Sequence, residues 1–195
     1  MLDKATCSIA QQKQVETDLL LLAELKKEKG LVEIKDDRLK ELAEKGIIAV
    51  VCPDGDHSID IFGHLCQYSH RVHTAALNGG AMLMSPSNLR FGLEGRALTN
   101  SVSGAWQMEK GKTVLLLSHW PCGQARADDI RLAWVIKDTL DADNKLTHTL
   151  GVGSEVVLPL FHVDWTPFEK NVELKRRRTY VIKKRCYDLL LPHLV

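Results

Sequence analysis

Two apolar runs in this chain end in residues that bind metals. In "IIAVVCPDGD", Ile47 to Val51 lead into Cys52 and Asp54; in "LLLSHWPCGQA", the run from Leu115 leads into His119 and, three residues later, Cys122. Two thiolates and an imidazole are a preferred donor set for zinc. Three protein ligands, with a fourth position left for water, are typical of a catalytic zinc site. The His-x-x-Cys spacing lets one turn present both side chains to one ion. The expected metal ligands are therefore Cys52, His119 and Cys122, with zinc as the cofactor.

These residues need elements to hold them. Residues 1–45 read as an N-terminal helical arm: "QVETDLLLLAELKKEKG" and "DDRLKELAEKG" each end at a glycine with lysine in the last turn. The arm would pack on the core or on a second subunit. A first strand follows at about 46–52, then a polar region to His73 that reads as loop with a short helix. "HTAALNGGAMLM" reads as a second strand interrupted by Gly79 and Gly80, where backbone must turn or approach something closely. Residues 92–109 read as helix, "KTVLLLSH" as strand, "ARADDIRLAWVIKDTLDADNK" as helix and "EVVLPLFHVDW" as strand. The end, "RRRTYVIKKRCYDLLLPHL", fits either strand or helix. Strand alternating with helix implies an α/β fold with a mainly parallel β-sheet flanked by helices. Residues 46–195 would form the zinc-binding core, in one domain overall. Ligand sites of such sheets lie in the crevice outside the carboxyl ends of the strands, where Cys52 and His119 fall.

The 195-residue chain is long enough for one sizeable core, and its hydrophobic fraction of 45% is that of a globular protein. A formal net charge of +1 gives no global attraction to nucleic acid or to a membrane. No apolar stretch approaches the roughly 20 residues of a membrane span. The start, "MLDKATCSIAQQKQ", has no basic segment followed by an apolar one, so no secretory signal is expected. Five cysteines, at 7, 52, 66, 122 and 186, form no disulfide framework and fit reduced thiols in a cytoplasm. Cys7 and Cys186 read as small buried hydrophobes.

The motifs resemble those of the β-class carbonic anhydrases. That family carries Cys-x-Asp-x-Arg after its first strand and His-x-x-Cys-Gly after a later one. Here the corresponding residues are Cys52-Pro53-Asp54-Gly55-Asp56 and His119-Trp120-Pro121-Cys122-Gly123. Of the family's Arg-Asn-Ala-Gly motif, Leu77-Asn78-Gly79-Gly80 matches the asparagine and the final glycine. Motif order, the helical arm and the late strand are also similar. The resemblance implies a β-carbonic anhydrase-like fold, zinc held by Cys52, His119 and Cys122, and a homodimer or higher homo-oligomer. It implies reversible hydration of carbon dioxide to bicarbonate by zinc-bound hydroxide. A catalytic zinc lowers the pKa of its water from that of bulk water to about 7, a value that belongs to carbonic anhydrases and comes with the resemblance.

One departure bears on catalysis. In the family, the arginine of the first motif pairs with the aspartate and holds it off the metal, where it orients the bound hydroxide. Here Asp56 stands at that position. A carboxylate cannot replace a guanidinium's bidentate grip. Asp54, the expected catalytic residue, is then free to become a fourth metal ligand and close the site. The alternatives are a non-catalytic zinc protein with a structural or partner-binding role, and a hydrolase of a carbon dioxide analogue such as carbonyl sulfide or carbon disulfide. Arg71, Arg90, Arg96, Arg126 and His57 are the cations that could stand in.

Other signals have plainer readings. His57, His64, Cys66, His70 and His73 have the spacing of no standard zinc module. Gly111-Lys112-Thr113 lacks the glycine five residues earlier that a phosphate loop requires, since Trp106 is there. The basic "ELKRRRTYVIKKR" reads as a solvated surface. Trp106, Trp134 and Trp165 read as core or interface aromatics, and Trp120, inside the His-x-x-Cys turn, as a residue that shapes the metal pocket.

Overall fold

The computed structural model describes residues 9–44, 46–53, 61, 63, 65–67, 71–108, 112–164 and 177–194. Five consecutive apolar residues form β2 (Ile47–Val51), and all are buried. A strand apolar on both faces belongs in the middle of a parallel sheet. β4 (Thr113–Trp120) is likewise buried throughout. β3 (Val72–Ala76) and β5 (Val157–Asp164) lie parallel to these two, giving the run β3-β2-β4-β5. β1 (Leu31–Glu33) and β6 (Arg177–Ile182) add an antiparallel extension. The six-stranded order is β1-β6-β5-β4-β2-β3. This is the α/β architecture with a mostly parallel sheet that the strand–helix alternation implies.

Side-chain alternation along the strands divides the core. Ile48, Val50, Val114, Leu116 and Val157 face α3 (Arg96–Met108) and α5 (Leu132–Leu150), meeting Leu98, Val102, Ala142 and Leu146. Ile47, Ala49, Val51, Leu115, Leu117 and Leu160 point the other way, against Ala43 of α2 (Asp36–Ala43). Toward the carboxyl ends of the strands, Leu21, Leu22 and Leu25 of α1 (Ile9–Lys27) pack with Trp120, Ile136, Phe161 and Tyr180. Two further helices are short, α4 (Gly123–Ala127) and α6 (Cys186–Leu190). Among the described residues, no helix is long and apolar enough to cross a membrane.

Several elements differ from the sequence reading. The N-terminal segment carries a strand between its two helices, since β1 pairs with β6. The helix expected to run through "ARADDIRLAW" is two helices, broken where Asp129 adopts a φ of 53°. The chain's end is both strand and helix, β6 followed by α6. The second strand stops at Ala76, and after Gly79 (φ 108°) the chain enters a 3-10 turn, Gly80–Met84.

Candidate metal centre

The parallel run reverses its direction of growth between β2 and β4: β3 is added on one side of β2, β4 and β5 on the other. That is the switch point at which α/β sheets open a crevice at their carboxyl ends. Cys52 is the first residue after β2, His119 is the penultimate residue of β4, and Cys122 lies between β4 and α4. Their ligand atoms lie within 4.8 Å of one another. All three residues are buried, at 3%, 3% and 4% exposure. Among the described residues this is the group of histidines, cysteines and acids that could hold a metal ion. Asp54, Asp56, His57, His64 and His70 lie outside the described residues, as do Cys7 and Trp165.

The donor set fits zinc. Tetrahedral zinc, about 2.3 Å from sulfur and about 2.0 Å from nitrogen, sets its ligand atoms roughly 3.5–3.8 Å apart, within the span observed. Nδ1 of His119 lies 3.0 Å from the Pro121 carbonyl oxygen. A carbonyl only accepts, so Nδ1–H donates, and Nε2 is the ring atom that would turn to a metal. The backbone N–H of Gly79 donates to Cys52 Sγ at 3.2 Å, which stabilises a thiolate. In the metal-free pair one sulfur holds the proton. The Cys122 thiol, and more weakly His119, hold Cys52 well below the ordinary thiol range. The neighbouring Cys52 sulfur and burial push Cys122 up, against the amides of Ala125 and Gln124. A metal ion would displace that proton and neutralise both sulfurs.

Glycines let the loop from Leu77 to Gly80 reach the site. Leu77 N–H donates to Val51 O at 3.3 Å, just before Cys52. Gly80 (φ 57°) lies against the Cys52 nitrogen and the Leu117 carbonyl. The surroundings are otherwise apolar: both cysteines share a cluster with Met82, Trp120, Ala125 and Phe161. Trp120 turns its indole N–H to Asp18 Oδ2 of α1 at 2.9 Å, so it anchors the ligand turn to the arm.

The other residues singled out in the sequence fall elsewhere. Arg90 is engaged with Glu94 at 2.6 Å and Asp128 at 3.4 Å, while Arg71, Arg96 and Arg126 are exposed. Cys66 is exposed and Cys186 buried. His73 lies half-buried on edge strand β3. Lys112 precedes a strand, which excludes a phosphate loop there. Trp106 packs at the edge of the α3–α5 core, and Trp134 lies half-buried beneath Lys137.

Pattern reading missed three buried polar residues. Asp18 shows no local motif. Asp138 does not either, although it is buried on α5 and accepts from Ser85, Ser87 and Asn88 at 2.8–2.9 Å. His162 stands beside His119 in the β4–β5 register, with Nδ1 3.0 Å from Thr179 Oγ1. Its place in a buried strand was the available signal.

No family model, no curated protein and no solved structure matches this chain. The fold and site define an α/β protein with a buried Cys–His–Cys group at the switch point of a mostly parallel sheet.

Proposed function

We propose that the protein is a zinc-dependent lyase of the β-carbonic anhydrase type, catalysing the reversible hydration of carbon dioxide to bicarbonate. The observation that carries this reading is the convergence of Cys52, His119 and Cys122 at the carboxyl ends of two adjacent parallel strands. Bound there, zinc would supply Lewis acidity and a water of lowered pKa. The chain's own residues orient the ligands through the Gly79 amide and the Pro121 carbonyl, and Met82, Trp120 and Phe161 contribute an apolar wall. Such a wall suits a small neutral molecule better than an anion, which also admits carbonyl sulfide or carbon disulfide as substrates. Asp54 is the residue proposed to orient the reacting water. The working form is proposed to be a homodimer or higher homo-oligomer in the cytoplasm.

A second reading, a zinc protein without catalysis, is favoured by Asp56 at the family's arginine position and by Arg90's engagement with Glu94 and Asp128. Stopped-flow carbon dioxide hydration between pH 7 and 9, on protein of verified zinc content, separates the two. The catalytic reading expects a rate well above buffer that falls at least tenfold in Asp54→Asn. Absence of a rate at full zinc occupancy selects the second reading, or an analogue substrate assayed next.

A further inference from the structure

We propose that Arg90 is a positioning residue for the metal centre, holding together the two segments that carry its sulfur ligands. The inference rests on the metal-binding reading of Cys52, His119 and Cys122, and extends it to a residue none of them touches.

The guanidinium is fixed at one end and forked at the other. Nη2 pairs with Glu94 Oε2 at 2.6 Å. Nη1 donates to the Asn78 carbonyl at 3.3 Å and to Asp128 Oδ2 at 3.4 Å. Asn78 precedes Gly79, whose amide donates to Cys52 Sγ. Asp128 caps the end of α4, the helix that begins after Cys122, and Gln124 of the same helix donates to Asp128 Oδ2 at 2.9 Å. One side chain therefore spans the Cys52 support and the Cys122 support. A planar cation with several fixed donors can do this, whereas an ammonium reaches one acceptor as a point charge.

Arg90 itself has a rigid base. Its backbone N–H donates to Asn88 Oδ1 at 3.0 Å, and Asn88 Nδ2 donates to Asp138 Oδ2 at 2.9 Å. Ser85 and Ser87 donate to the other oxygen of that carboxylate. Ser85, Asn88 and Asp138 are buried. Burial pushes the Asp138 carboxyl up, and the donors from Asn88 and the serines oppose it. The clamp gives this otherwise costly buried acid a purpose: it fixes the loop from which Arg90 reaches across the site.

The test is cobalt(II) titration, in which thiolate charge-transfer bands report sulfur ligation and d–d bands report its geometry. Residues that orient metal ligands change affinity by about 10–100-fold when removed. Arg90→Met should lose affinity in that range and shift the d–d bands. Asp128→Asn, which leaves the loop clamp intact, should shift both in the same direction by a smaller factor. Arg38→Met, which breaks the exposed ion pair to Glu41 on α2 and touches no clamp residue, should leave both at wild-type values. Wild-type affinity and bands in Arg90→Met or Asp128→Asn overturn the proposal, as does an equal loss in Arg38→Met. A wild-type protein with no cobalt–thiolate band overturns the metal reading together with it.

Discussion

A Cβ added to Gly80 would lie 2.8 Å from the Cys52 nitrogen and 2.8 Å from the Leu117 carbonyl oxygen. Both neighbours are backbone and cannot rotate aside, and a φ of 57° strains most side chains further. Gly80→Ala should therefore cost about 1–3 kcal/mol in a denaturant titration and weaken metal retention, because Cys52 must move. Gly104, on α3 with nothing within 4 Å of its added Cβ, is the contrast. Gly104→Ala should be stabilising by about 0.5–1 kcal/mol. Equal midpoints for the two variants would contradict this account. At this scale the grouping was largely legible: residue type and a three-residue spacing marked His119 and Cys122 as a pair that the structure brings to Cys52, and paired glycines marked a close approach. Arg90 was not legible as a support, because the two acceptors that tie it to the site's segments lie 12 and 38 residues away and no local pattern encodes such distances.

Among elements, α1 reaches the proposed ligand turn through a polar contact as well as its leucines. Asp18 accepts the indole N–H of Trp120 at 2.9 Å and an amide hydrogen of Gln14 at 2.8 Å. Trp120 sits between two of the proposed ligands, so the arm fastens the His-x-x-Cys turn from outside the sheet. Asp18→Leu removes the acceptor and should cost about 1–3 kcal/mol, whereas Asp18→Asn keeps an acceptor and should cost much less. The difference between their urea midpoints is the measurement, and two equal losses would mean the contact is incidental. The arm's helices were readable from their terminal glycines and lysines. β1 was not, since three residues are too few to show alternation and their pairing depends on β6, some 150 residues later. The break at Asp129 was hidden for a related reason: a non-glycine residue with positive φ leaves no mark in composition.

For the whole molecule, strand–helix alternation made the sheet legible, and the switch-point rule then placed the site. What the pattern could not show was the charge buried beneath the sheet. Asp143 on α5 is 3% exposed, and burial raises its carboxyl from the ordinary 3.8 to about 6, partly offset by Lys184 and by a hydrogen bond from Thr147. The folded protein thus holds this proton more tightly than the unfolded chain. The stabilising contribution is fully present below about pH 4 and is lost as pH rises through about 6. At neutral pH the buried charge costs roughly 1–3 kcal/mol. Asp143→Asn should therefore be more stable than wild type by that order at pH 7.5, with the gap narrowing at pH 5.5 as the wild-type carboxyl gains its proton. Comparing the two proteins at equal metal loading cancels any loss of metal to acid. A gap that stays constant or widens toward pH 5.5 would mean that the Lys184 attraction outweighs burial and that Asp143 is charged throughout.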